Sequence, residues 1–172
     1  MKLQVGSSVA RGIYKGADWT NLDIKPHRGV DIIADASEHI PLDTNSVDEI
    51  HCVHVLEHIT RDKYPKMLRE MHRVLKPGGH LYVETPDFQA TVDNLLAAFI
   101  SRDVEAIHIW TTSVYGKNER EGMAHHWGFY EGLLRREFRH QGFNDVERLV
   151  FPNEMISTHY KQEPVLLVRG TK

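Results

Sequence analysis

The chain has 172 residues, of which 41% are hydrophobic and 26% charged, with a formal net charge of −3. This length suits one domain, residues 1–172, and this composition suits an ordinary globular core. A single cysteine, Cys52, excludes a disulfide framework and an all-cysteine zinc site, and the mild negative charge argues against a nonspecific nucleic-acid binder.

In chain order, residues 2–5 form a short apolar run ending at Gly6 and read as a first strand. Residues 19–24 read as a second strand, closed by Lys25 and Pro26, and residues 30–34 as a third, followed by Asp35. Residues 47–55 read as a fourth; Ile50, Cys52, Val53 and Val55 make it apolar on both faces, as in a central parallel strand. The period then changes: Tyr64, Met67, Leu68, Met71, Val74 and Leu75 share one helix face, with Thr60 or Asp62 as cap, Pro65 in the first turn, and Pro77, Gly78 and Gly79 as stop. Residues 80–85 are a fifth strand ended by Pro86. Asp87 caps a second helix whose apolar face is Phe88, Val92, Leu95, Leu96 and Phe99. Residues 101–129 read as irregular. Leu133, Leu134 and Phe138 mark a third helix ended by Gly142, and residues 146–151 and 164–169 are the last two strands. The longest apolar run, residues 95–100, is far short of the about 20 residues that span a bilayer. No signal-peptide pattern opens the chain, so a cytoplasmic location away from membranes is expected.

Strands alternating with helices imply a mostly parallel sheet, and ligands of such sheets sit outside the C-terminal strand ends. Gly6, after strand one, lets a ligand approach the backbone. Asp23, at the end of strand two, can hold two ribose hydroxyls or simply cap the next turn. Asp35, after strand three, can accept a hydrogen bond from an adenine amino group or cap its loop. The segment from His54 to His58 follows strand four.

Several stretches resemble class I S-adenosylmethionine-dependent methyltransferases of the type-11 group. They are Asp48-Glu49-Ile50, His54-Val55-Leu56-Glu57-His58 and Arg73-Val74-Leu75-Lys76-Pro77-Gly78-Gly79 with the strand after it. The approach from Ile40 to Asp48 is similar to the family's entry into strand four, and His126-Trp127-Gly128-Phe129 with Gly142-Phe143 to its tail. The resemblance implies a Rossmann-like, doubly wound α/β fold: seven strands in the order 3-2-1-4-5-7-6, strand seven antiparallel. It implies S-adenosylmethionine across the strand tips, with Val5, Gly6, Ser7, Ser8, Asp23, Ile24, Asp35, Ala36, His54, Val55 and Glu57 as the cofactor-binding set. Gly6 would face the methionine part, Asp23 the ribose, Asp35 the adenine, and His54 and Val55 the sulfonium. Residues 101–130 would be the variable acceptor-side or lid segment.

The chain departs from the family pattern where Ser7 and Ser8 stand in place of the second glycine of the loop. Only residues 7–18 separate strands one and two, and 25–29 separate two and three, so the first helices are shortened. The cleft is then open, or covered by a second copy or a partner chain. The function implied is methyl transfer to a small-molecule acceptor by in-line displacement, which relies mainly on positioning. A base is needed only for a protonated nucleophile. His54 is the first candidate, with His126 and Tyr115 on the acceptor side. A Rossmann dehydrogenase would need a Gly-x-Gly-x-x-Gly loop, which Val5 to Val9 does not supply. A catalytically silent methyltransferase-like module acting with a partner protein is the alternative from another class.

There are 12 histidines, which raises the question of metal. His51, His54 and His58 are the spaced trio, but strand alternation aims His51 away. His125 and His126, adjacent in sequence, point apart if extended. No metal site is expected from spacing.

Overall fold

The computed structural model describes residues 1–6, 17–117, 122–150 and 164–172. The strands are β1 (Lys2–Val5), β2 (Trp19–Asp23), β3 (Ile32–Ile33), β4 (Val47–Val53), β5 (Leu75–Pro86), β6 (Asn144–Leu149) and β7 (Val165–Thr171). The helices are α1 (Tyr64–Val74), α2 (Phe88–Ser101), α3 (Val104–Tyr115) and α4 (Glu131–His140), and a single 3-10 turn spans Leu56–His58. The seven strands form one sheet in the order β3-β2-β1-β4-β5-β7-β6, as expected. β1 to β5 pair in parallel, while β7 runs antiparallel to both β5 and β6.

One face of this sheet is dry. Leu3, Val5, Leu22, Ile50, Cys52, Leu81, Val83, Leu166 and Val168 alternate onto it, and each is almost fully buried. The helix face read from the sequence as Tyr64, Met67, Leu68, Met71 and Val74 closes over it from α1, and Leu133, Leu134 and Phe138 close over it from α4. Ile40 and Ala36, in the stretch before β4, belong to the same core.

The structure corrects several expectations. β3 is only two residues long, because Asp31 turns back to accept hydrogen bonds from the Asn21 backbone and side-chain amides. α1 ends at Val74 rather than at the Pro-Gly-Gly stop. Leu75 is already extended (ψ 141°), and β5 begins there. β4 is not apolar on both faces, because His51 shares its second face with Val53, and the strand ends before Val55. Residues 101–129 are not irregular throughout: α3 runs through them. Arg102 takes a left-handed conformation that ends α2, and Asp103 Oδ1 accepts the Ala106 N–H to start α3. The expected apolar face of α2 also turns out differently. Asp87 caps it as read, but the residues buried are the small Thr91 and Ala98. Leu96 and Phe99 are more than half exposed. α2 and α3 pair as a helical hairpin. The expected short first helix and Ser7 and Ser8 lie outside the described residues.

Candidate functional site

The ends of β1, β2 and β4 converge as the sheet order dictates. Gly6 leaves β1 with φ +79°, a conformation that side-chain-bearing residues rarely adopt. A Cβ at that position would come within 2.1 Å of Val55 Cγ2, so only bare backbone fits against the tip of β4. Asp23 ends β2; its Oδ1 accepts the Lys25 N–H at 2.9 Å, and its Oδ2 lies 3.5 Å from His27 Nε2. Both ring nitrogens of His27 are buried and hydrogen-bond to nothing among the described residues. Asp35 caps the turn after β3, with Oδ1 accepting from both the backbone and the hydroxyl of Ser37. Val5 and Ala36 turn their side chains into the core, so only their backbone can meet a ligand; Ile24 is 59% exposed beside Asp23.

After β4 the geometry is dominated by charge. His54 sits at φ +50°, 3% exposed, and its backbone N–H donates to Glu84 O across the β4–β5 ladder. Its ring lies between two buried carboxylates, Nδ1 at 3.2 Å from Glu57 Oε1 and Nε2 at 3.0 Å from Glu84 Oε1. Burial opposes the charge on this ring, but hydrogen bonding to Glu57 and Glu84 and their charges outweigh it and raise its pKa to about 9. The ring expected as a base is thus an imidazolium at neutral pH, and it has no proton vacancy to offer an acceptor.

Glu57 organises the neighbouring chain. Its Oε2 accepts the Thr85 hydroxyl, while its backbone carbonyl accepts the His126 N–H at 2.7 Å. This bond draws residues 122–130 over the tips of β4 and β5, and the Phe88 N–H donates to Phe129 O to hold the other end. Phe129 is fully buried, Gly128 leaves no room for a Cβ against Phe88, and the Arg61 guanidinium stacks over Trp127. Trp127 packs against the core, whereas Tyr115 and Tyr130 are exposed. His126 is exposed as well.

Sequence reasoning missed two members of this site. Glu84 lies inside a strand, and its register opposite Val53 was the only signal that could have placed it beside His54. Thr85 follows it on β5. His27, one of the 12 histidines, was given no role, although its spacing of four from Asp23 could have brought it forward.

Comparisons with known proteins bear on the domain signature and the fold. Residues 14–83 match a family model described as a methyltransferase domain, of the type-11 group. A sequence search among curated proteins finds no match. Solved structures with similar folds include a SAM-dependent methyltransferase of Thermotoga maritima, at 19% identity and TM-score 0.60, covering 99% of this chain and 81% of that one. Another, from Archaeoglobus fulgidus, has 13% identity and TM-score 0.62, covering 99% and 85%. A third is the Burkholderia thailandensis 1,6-didemethyltoxoflavin-N1-methyltransferase with bound 1,6-didemethyltoxoflavin and S-adenosylhomocysteine, at 13% identity and TM-score 0.56, covering 99% and 70%. Residues 14–83 thus carry the signature of a type-11 methyltransferase domain, and the sheet has the strand order of the class I S-adenosylmethionine-dependent methyltransferase fold.

Proposed function

We propose that this protein transfers a methyl group from S-adenosylmethionine to a small-molecule acceptor. The observation that carries the reading is the convergence of Gly6, Asp23 and the His54–Glu57 segment on neighbouring strand tips. The residues fit the cofactor. Gly6 lets its methionine part lie against backbone, and Asp23 can accept two ribose hydroxyl hydrogens. The buried ring nitrogens of His27, which hydrogen-bond to nothing among the described residues, stand beside that carboxylate, where the polar edge of a ribose would satisfy them. Asp35, held by Ser37 through one oxygen, presents the other to an adenine amino group.

Bound there, the sulfonium supplies a methyl carbon that is already activated. The protein then has to align the acceptor atom and exclude water, and positioning of this kind is worth about 7–11 kcal/mol. His54, wedged between Glu57 and Glu84, is a positioning group for the β4 tip. Any proton from the acceptor goes to the exposed side, where His126 and Tyr115 are the groups able to take it. A small acceptor is supported by the neighbour that holds 1,6-didemethyltoxoflavin together with S-adenosylhomocysteine. The alternative of a catalytically silent module with a partner chain draws support from the exposed apolar side chains of the α2–α3 hairpin, Leu96, Phe99, Ile100 and Val104.

Calorimetric titration separates the two. The enzyme reading expects S-adenosylmethionine and S-adenosylhomocysteine to bind, and Asp23→Ala to weaken both at least tenfold, about 1.4 kcal/mol. No binding at millimolar ligand would overturn it in favour of the partner module.

A further inference from the structure

Beside the strand tips that serve the cofactor reading, three side chains from two distant parts of the chain meet on the acceptor side. Glu57 and His58 come from the 3-10 turn after β4, and His125 comes from the strap over it. One ligand atom from each lies within 4.8 Å of the others. The two imidazoles are oriented alike. His58 Nδ1 lies 3.0 Å from Ala124 O, and His125 Nδ1 lies 2.8 Å from Ser113 O. A ring nitrogen that bonds a carbonyl must carry the proton, which fixes the tautomer and leaves Nε2 as the electron-pair donor. The ring centroids are 5.1 Å apart with the planes inclined at 60°, and His58 Nε2 is 3.9 Å from Glu57 Oε1. Backbone carbonyls that hold Nδ1 in this way are the usual supporting shell of metal-bound histidines.

A second observation points to a ligand. Ser113 is 4% exposed, and its Oγ hydrogen-bonds to nothing among the described residues. It lines a small cavity shared with Glu57, Thr85, His125 and Trp127. A buried hydroxyl of this kind calls for a polar occupant.

We propose that Glu57, His58 and His125 form a binding site for a divalent first-row transition metal, with zinc as the best match. Two imidazoles and one carboxylate suit zinc, cobalt or nickel rather than magnesium or calcium, which prefer all-oxygen shells. Three protein ligands leave a fourth position open, and Ser113 can hold a water or an acceptor heteroatom placed there. In a tetrahedral shell, ligand atoms about 2.0–2.1 Å from zinc stand about 3.4 Å apart, so closure from a spread within 4.8 Å requires side-chain shifts of up to about 1.5 Å. The site departs from the expectation drawn from histidine spacing. Of the trio weighed there only His58 takes part, and its partner His125 lies far along the sequence.

The site is tested on the full chain after dialysis against a chelator, without cofactor, so that failure here leaves the methyltransferase reading standing. Zinc titrated by calorimetry should bind one equivalent and raise the melting temperature. Cobalt should give the intense visible bands of a four- or five-coordinate centre. His58→Ala and His125→Ala should each weaken zinc binding at least tenfold, while His108→Ala, on the exposed side of α3, should bind as the wild type does. Should either ligand variant fail to fold, the wild-type cobalt spectrum decides: low-coordinate bands support the site, and a weak six-coordinate spectrum overturns it. Wild-type zinc affinity in folded His58→Ala and His125→Ala variants would equally overturn it, as would no binding at millimolar zinc.

Discussion

The two faces of the sheet are made by the same strands yet differ in kind. On the face under α1 and α4, Leu3, Ile50, Cys52, Leu81, Val83 and Val168 form a continuous apolar layer. On the other face the same strands present Gln4, Asn21, His51 and Glu84, also buried, and the apolar content shrinks to Val53 and Leu167 with Tyr82 and Leu149 around them. His51 is held there between the edges of Trp19 and Tyr82, with Nε2 at 2.9 Å from Glu49 Oε1. The difference shows that burial and hydrophobicity are separate variables in this fold. The first face holds the strands together. The second carries polar groups that must each be satisfied, and one of them, Glu84, reaches into the candidate site.

The sharpest way to break this comparison is a matched pair of substitutions. Val83 and Val53 lie on adjacent paired strands but on opposite faces. Val83→Ala should cost about 2–3 kcal/mol, from lost transfer free energy plus a cavity in a layer that cannot collapse. Val53→Ala should cost about 1 kcal/mol, because fewer apolar neighbours surround it. Urea denaturation measures both, and equal losses would mean that the two faces are energetically alike.

A second prediction concerns the rim of the dry face. Hydrogen bonds from Arg73 hold the Glu70 carboxyl down to about 2, with help from the Ile40 N–H. A carboxylate with a depressed pKa contributes stability that is complete above its ordinary 4.5 and is lost as pH falls toward about 2. Glu70→Gln should therefore lower stability at pH 7 by about 1–2 kcal/mol and flatten the decline between pH 4.5 and 2. A variant that loses stability with acid as steeply as the wild type would show that Glu70 carries none of it.

The smallest effect is expected where apolar residues face neither side of the sheet. Ile100, at the end of α2, is 84% exposed, so Ile100→Ser should change stability by no more than about 0.5 kcal/mol. A larger loss, read from the same urea curves, would mean that this residue is covered.

Much of the architecture was legible because it is written locally. The period of α1 placed Tyr64, Met67, Leu68, Met71 and Val74 on one face, and all are buried. The segments 54–58 and 73–79 carried the family resemblance and with it the strand order. α3 was overlooked because its helical stretch lacks a strong apolar stripe; its signals were the Asp103 cap and the absence of breakers up to Gly116. The burial of α2 was misread because α2 packs chiefly against another helix, α3, which its own apolar pattern does not reveal.

The candidate site divides in the same way. Gly6, Asp23 and Asp35 could be read as strand ends, since that reading needs only the position of each strand. The state of His54 could not, because it depends on Glu84, thirty residues away and brought alongside by the β4–β5 register. The 12 histidines are identical in the sequence, and their surroundings alone tell them apart. One is an imidazolium between two carboxylates, one an edge-packed ring on the polar face, and two are imidazoles fixed by carbonyls around Glu57. Sequence by itself determined most of the strands and helices, because periodicity acts over neighbouring residues, and the family resemblance of its motifs supplied the order of the sheet. Tertiary structure alone decided which polar side chains are buried together and which carry charge, because desolvation and Coulomb energies depend on groups that chain distance does not reveal.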